Sequence, residues 1–483
     1  MQPCINAWQD GDARLMRDYS GKVVRFSPVA CAMIAADERL TGGERGVGMD
    51  GSIEAAGFLD TFRARGAAIA DACTRCGDCF RACPMTAPAG IGEADPSATA
   101  GAIVDLITGG EGNEEAVRWA EACSGSGYCI PACKHGINPR FMVQLARGFA
   151  RRNADGSPLP TRWRQGFQTM SRGVRVLSRL QLPPDTLARF APSHEARTSP
   201  PEVVFYTGCN VLKTPHIALL CLDILDLLEI DYEVMGGVGQ CCGVYQYREG
   251  DFAANSKVAY ATIDGLAAAG APTVLAWCPS CMISIGEVSL PNYEMQFGAK
   301  PFDMNPFLTF LAGHADRLAG LMKRRVEKRI ALHERPVFPE VIAAVKKLLS
   351  IIPGAELVEI DVPRVGTQAN SLAQMPKFKR ELVSREFAAV ADAGVTTLAT
   401  IYHACHRQIC DAGEGRSFEI VNFMEILGEG LGLYSADLYK RLKLIGDIDE
   451  MIVETAPLIE AHRLDLDTVR DALLAEFGAR ANS

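Results

Sequence analysis

Residues 73–84 read Cys73-Thr74-Arg75-Cys76-Gly77-Asp78-Cys79-Phe80-Arg81-Ala82-Cys83-Pro84. The spacing is C-x2-C-x2-C-x3-C-P, which confines three thiols to one short loop and sets a fourth one turn further on. Three sulfurs so close together suit a single iron–sulfur cluster, while the fourth reaches a second one. Gly77 provides the bend that such a loop needs. A cysteine used only as a small buried hydrophobe has no reason to repeat at these intervals.

Working outward, the partner run is Cys123-Ser-Gly-Ser-Gly-Tyr-Cys129-Ile-Pro-Ala-Cys133-Lys134. Laid on the first pattern, its second cysteine position holds Ser126, and Lys134 follows the last cysteine where proline is usual. The first run is similar to that of bacterial ferredoxins. The C-x5-C-x3-C run resembles the corresponding segment of succinate dehydrogenase and fumarate reductase iron–sulfur subunits. That resemblance implies Cys73, Cys76, Cys79 and Cys133 as ligands of a [4Fe-4S] cluster, and Cys83, Cys123 and Cys129 as ligands of a [3Fe-4S] cluster. Ser126 as an oxygen ligand of a four-iron cluster, an ordinary cube with a labile corner, and a lost site all stay open. Gly57–Ala72 and Glu114–Glu121 read as helices, so residues 55–150 are expected to be a mostly helical two-cluster module.

Composition sets the frame around this module. At 483 residues the chain has room for two or three cores, and 48% hydrophobic with 22% charged residues is ordinary for a globular protein. A net charge of -9 argues against a nucleic-acid partner. No apolar run of about 18 residues is present, so no transmembrane segment is expected. Met1–Asp12 lacks the pattern of a secretory signal, and the location read from the sequence is cytoplasmic, with a membrane reached only through partners. Seventeen cysteines in such a chain do not read as a disulfide framework.

From Lys134 to Arg197 the chain is rich in arginine; residues 151–200 read as a basic linker, in which Asn153–Pro160 contains Gly and Pro. Solvated helix and docking face for an acidic partner or anionic membrane are the two uses of that charge. From Glu202 the pattern turns to short apolar strands alternating with helices: Val203–Thr207, a helix over 217–229, Asp231–Met235 and Thr273–Trp277. This predicts a parallel α/β sheet with ligands gathered at strand ends. Five cysteines fall there, Cys209, Cys241, Cys242, Cys278 and Cys281, spaced C-x31-CC-x35-C-x2-C.

This arrangement resembles the CCG domain of heterodisulfide reductase, of the anaerobic glycerol-3-phosphate and glycolate dehydrogenase iron–sulfur subunits, and of thiol:fumarate reductase. The fused order of ferredoxin module and CCG domain matches over about residues 55–430. The resemblance implies a non-cubane [4Fe-4S] cluster on the five cysteines; four thiolates would also suit tetrahedral zinc. It implies a duplicated domain too, and an outline of a second copy is present. Arg329–His333 mirrors 203–207, Val365-Gly366 mirrors Val238-Gly239, and Thr397–Ile401 mirrors the strand before Cys278. The ligand positions of that copy read Pro336, Gln368, Ala369, Tyr402 and Cys405, so its site is degenerate.

The fold class expected is therefore multidomain, a helical bis-cluster ferredoxin module followed by a duplicated α/β CCG domain. Its parts are an N-terminal extension (1–54), the module (55–150), the linker (151–200), an intact repeat (201–326), a degenerate repeat (327–445) and a helical tail (446–483). His403 and His406, in the run His403-Ala-Cys405-His406-Arg-Gln-Ile-Cys410, are candidate proton donors beside the terminal cluster or part of a small metal set. Cys4, Cys31 and Cys221 fall in no set. No G-x-G-x-x-G follows a strand, so a flavoprotein partner is implied. The function expected is electron transfer within a multi-subunit oxidoreductase. Thiol-disulfide reduction at the single CCG site, quinone reduction, and a zinc-bearing assembly role are the alternatives.

Overall fold

The computed structural model describes residues 15–17, 23–25, 50–153, 158–191 and 197–478. Cys4, Cys31 and most of the N-terminal extension lie outside them. The chain forms two units, Met1–Glu54 and Ala55–Ser483. In the first, β1 (Leu15–Arg17) pairs antiparallel with β2 (Val23–Arg25).

The helix Asp50–Ala72 leads into the first cysteine run. Between the two runs stand the helices Pro96–Ile107 and Glu114–Ala122, whose first turns are capped by Asp95 (accepting from Ala98 N–H at 2.6 Å) and Asn113 (from Ala116 N–H at 2.8 Å). Such caps satisfy donors that the helix itself cannot. The helix Pro139–Asn153 closes the module, and it is buried from Pro139 to Phe149. Phe62, Phe80, Ile103, Trp119, Phe141 and Leu145 fill the shared core.

Two four-stranded parallel sheets follow. The first contains β3 (Val203–Tyr206), β4 (Tyr232–Met235), β5 (Thr273–Ala276) and β6 (Asp303–Pro306), in the order β4-β3-β5-β6. The second contains β7 (Lys328–His333), β8 (Ala355–Leu357), β9 (Thr397–Thr400) and β10 (Glu419–Asn422), in the order β8-β7-β9-β10. Both sheets thus place their first strand between the second and third. β3 and β9 are buried along their whole length, as strands covered by helices on both faces must be. The short edge strands β6, β8 and β10 carry no clear sequence signal: Asp303–Pro306 contains Asp, Asn and Pro, and β8 is only three residues long. One core, including Phe205, Leu220, Trp277, Ile330, Leu348 and Phe423, runs through both sheets.

The basic linker is corrected by the structure. Leu159–Arg179 is a 21-residue helix that buries Met170, Val174, Val176 and Leu177. It packs with Leu442, Met451, Val469, Leu473 and Phe477 of the C-terminal helices in one apolar cluster. Arg152, Arg164, Arg172 and Arg175 are exposed along this stretch, whereas two arginines before the helix are drawn into ion pairs. Arg140 is 3% exposed and bonded to Glu287 from the turn after Cys281. Arg151 lies between Glu121 at 2.5 Å and Glu249. The acids that balance these cations lie far along the chain, so local composition does not reveal them. Among the described residues no helix is long and apolar enough to cross a membrane.

Candidate iron–sulfur sites

The first cysteine loop is shaped by Gly77, whose φ of 80° places it in the left-handed region immediately before the one-turn helix Asp78–Arg81. A Cβ there would come within 2.6 Å of Pro96, so the loop and the next helix are packed against one another through this glycine. Burial, and then the neighbouring Cys73 and Cys76, push the Cys79 thiol up to about 12. The loop carrying Cys133 is tied to the loop carrying Cys73 by a 3.0 Å contact between Thr74 Oγ1 and His135 Nε2.

Cys83, Cys123 and Cys129 act on one another. Burial and then Cys123 raise the Cys83 thiol to about 11. Burial, then Cys123 and Cys83, raise that of Cys129. Ser126 is not turned to this group. Its hydroxyl lies 2.9 Å from Ser124 Oγ and accepts the Gly366 N–H at 2.8 Å. These contacts occupy the Ser126 hydroxyl away from a ligand role. Serine here joins the second cysteine loop to the second sheet, and Thr367 N–H donates to Ser124 O across the same joint at 3.2 Å.

The five later cysteines all stand beyond the carboxyl ends of β3, β4 and β5, where the strands of an open α/β sheet present ligands. Cys241, Cys242, Cys278 and Cys281 are buried and Cys209 is partly so. Cys242 and Cys278 are the thiols held down, Cys242 by its contacts with Cys241 and Cys281 and Cys278 by its contact with Cys281. Burial, then Cys242 and Cys278, raise Cys209. Gly243 repeats the device of Gly77, with φ 76° ahead of the short helix Val244–Arg248. At Gly208 a Cβ would sit 2.9 Å from Cys281 Sγ. Five desolvated thiols packed around a glycine-lined space fit a metal cluster, because only a bound cation makes several buried thiolates stable together.

At the ends of β7, β8 and β9 the side chains differ. Arg335 donates to Cys405 Sγ at 3.4 Å, to Val365 O at 2.5 Å, and lies 2.9 Å from His333 Nε2. His333 Nδ1 meets Glu386 at 2.6 Å, and Arg364 meets the other carboxylate oxygen at 2.7 Å. Although burial raises it, Arg335 and His333 bring the Cys405 thiol down to about 6. Gln368 takes a separate path: its amide N–H bonds Ser280 Oγ at 2.8 Å and reaches Cys278 Sγ at 3.9 Å.

The candidate proton donors are also corrected. Burial, then Arg407 and Lys213, lower His403 to about 3, which favours its neutral form. His406 bonds Thr400 and Asp437. Cys405 pairs with Arg335 and Cys410 is buried in a different cluster, so His403, Cys405, His406 and Cys410 do not form one metal set. Helical spacing turns Cys405 away from the side that His403, His406 and Cys410 share.

Sequence reading missed a cavity of about 180 Å³ between the two cysteine systems. Cys123, Arg147, Val244, Arg248, Ser284 and Thr367 are in its lining. Arg147 donates to Cys123 O at 3.4 Å, and its Nε has no hydrogen-bond partner among the described residues. Burial and then Arg147 lower the Arg248 guanidinium. Its walls come from three distant parts of the chain, so no local motif announces it.

The fold and cysteine loops define an iron–sulfur protein: residues 67–134 match the family model of a 4Fe-4S dicluster domain, and residues 203–286 match that of a cysteine-rich domain, CCG. More particularly, the chain is similar to one of the subunits of dihydromethanophenazine:CoB–CoM heterodisulfide reductase. It is 22% identical to that of Methanosarcina acetivorans over 394 residues, covering 75% of this chain and 94% of the relative. It is 23% identical to that of Methanosarcina barkeri over 401 residues, with the same coverage.

Proposed function

We propose that this chain is the iron–sulfur electron-transfer subunit of a multi-subunit oxidoreductase, linking a flavoprotein partner to an acceptor at the five-cysteine site. Cys73, Cys76, Cys79 and Cys133 hold a [4Fe-4S] cluster in this reading, and Cys83, Cys123 and Cys129 a [3Fe-4S] cluster. Cys209, Cys241, Cys242, Cys278 and Cys281 hold a non-cubane [4Fe-4S] cluster. The two sheets are copies of one α/β unit, bounded as 201–326 and 327–445, and only the first keeps its ligands. When bound, such clusters supply one-electron redox chemistry at potentials set by hydrogen bonds and burial.

The observation that carries the reading is a continuous joint between the two systems. From Cys123 the backbone passes to Ser124 O, which accepts the Thr367 N–H, and the adjoining Gln368 side chain reaches Cys278. The degenerate loop of the second sheet therefore acts as the bridge between them. Gln368 donates toward a ligand sulfur, which favours the reduced state at that end. Arg147 and Arg248, one with an orphaned Nε, give the adjoining cavity a cationic lining that recruits an anionic acceptor.

A second reading, reduction of a disulfide by this chain itself, is favoured by the same cavity, since its lining includes Ser284 beside Cys242. Cleavage shared between two equivalent clusters does not fit, because Pro336, Gln368, Ala369 and Tyr402 offer no thiolate.

The test is single-turnover oxidation of the dithionite-reduced chain, followed by visible absorption. A small anionic disulfide should reoxidise the wild type, and Arg147→Met should slow this about 10- to 100-fold, the range for losing one charge-assisted contact. Reoxidation of a Cys241→Ser, Cys242→Ser variant at the wild-type rate would overturn the assignment of the acceptor to the five-cysteine site.

A further inference from the structure

Away from the cysteine loops, the imidazoles of His216 and His406 converge with the carboxylates of Glu425 and Asp437. One ligand atom from each lies within 4.8 Å of all the others. His216 opens the first helix of the first sheet, Pro215–Leu227. The other three belong to the second sheet's side: His406 in the helix His403–Ile409, Glu425 in the first turn of Phe423–Leu431, and Asp437 as N-cap of Leu438–Ile445.

His216 is 1% exposed, and neither ring nitrogen has a hydrogen-bond partner among the described residues. Nδ1 stands 3.5 Å from Asp437 and Nε2 stands 3.8 Å from Glu425. Those gaps are long for hydrogen bonds. One imidazole offers a metal one nitrogen, and through Nδ1 the 3.5 Å gap to Asp437 matches the ~3.3–3.6 Å edge of a tetrahedron whose metal–ligand bonds are about 2.0–2.2 Å.

His406 points the same way. Its Nδ1 lies 3.2 Å from Thr400 Oγ1, which is also 3.2 Å from Val421 O. Nε2 lies 2.6 Å from Asp437 Oδ2, and the ring bonds that carboxylate. A divalent cation bound here would take the place of the proton shared along that contact. Glu425 and Asp437 are meanwhile held by the backbone N–H groups of Asn422 at 2.6 Å and Lys440 at 2.9 Å, the outer-shell orientation that ligands require.

We propose that His216, His406, Glu425 and Asp437 form a closed structural site for a divalent cation, zinc foremost, that clamps the two sheets together. Two neutral imidazoles and two carboxylates carry a charge that one dication balances, and the nitrogen-rich set favours zinc over calcium or magnesium. The proposal does not depend on the electron-transfer reading.

The experiment is zinc analysis with zinc K-edge X-ray absorption on the anaerobically purified full chain, before and after incubation with Zn²⁺ alone. The expected result is about one zinc per chain with a nitrogen and oxygen shell near 2.0 Å. That zinc should remain in the Cys241→Ser, Cys242→Ser variant and be lost in His216→Phe or, should that variant not fold, in Asp437→Asn, which keeps the helix cap. A sulfur shell near 2.3 Å, or no zinc even after incubation, would overturn it.

Discussion

The two sheets share a strand order, yet they solve the space beyond their carboxyl ends in different ways. After β3, β4 and β5 that space is lined with thiols that pack on one another and on Gly208. After β7, β8 and β9 it is filled by Arg335, His333, Glu386 and Cys405, bonded among themselves. In the proposed reading one end takes a cation from outside, while the other carries its own, Arg335. The strand framework does not depend on the ligands, and the end without them is free to become a wall, as Gln368 and Thr367 do against the first.

That comparison can be broken by removing the internal cation. Arg335→Leu leaves a buried His333–Glu386 pair and the Cys405 thiol without their shared partner, and should cost about 3–5 kcal/mol in chemical denaturation. The iron content should stay unchanged in the fraction that folds. A loss below about 1 kcal/mol would mean that the second end is held by packing rather than by charge.

A smaller effect is expected where the second cysteine loop meets the second sheet. Ser126→Ala strands the Gly366 N–H and should cost about 1–3 kcal/mol, with the EPR spectrum unaltered. A changed spectrum would make Ser126 a ligand after all.

A third effect is a pH dependence. The Cys405 thiol falls from its ordinary 9.0 to about 6 in the folded chain. A depressed folded value contributes stability that is present in full above the unfolded value and is lost as the pH falls through about 6. Between about pH 6 and 9 the wild type should therefore gain stability with rising pH relative to Cys405→Ser, read from denaturation midpoints. Parallel curves would show that Cys405 stays a thiol.

Much of this is legible in the sequence because cluster ligands must recur at short, fixed intervals. The runs at Cys73 and Cys123, the five later cysteines, and the buried strands Val203–Tyr206 and Thr397–Thr400 are local signals. What is not legible depends on contacts across the fold. Arg140 finds Glu287, Ser126 finds Gly366 and Gln368 finds Cys278, partners separated by 147, 240 and 90 residues. The arginine-rich stretch reads as a linker for the same reason, since Leu159–Arg179 gains its helical packing from the distant C-terminal helices. His406 stands out in the sequence as unusual, but its neighbours are not those that the run suggests, because eight consecutive residues hide which face each side chain takes.

The central claim is that the five cysteines hold a redox cluster separate from the paired set. Iron and acid-labile sulfide analysis with low-temperature EPR, on the wild type and on Cys241→Ser, Cys242→Ser, tests it most directly. The account predicts roughly 11 iron per wild-type chain, a loss of about 4 in the variant, and an unchanged oxidised three-iron signal. Equal iron in the two proteins, or a variant that loses zinc instead of iron, would contradict it.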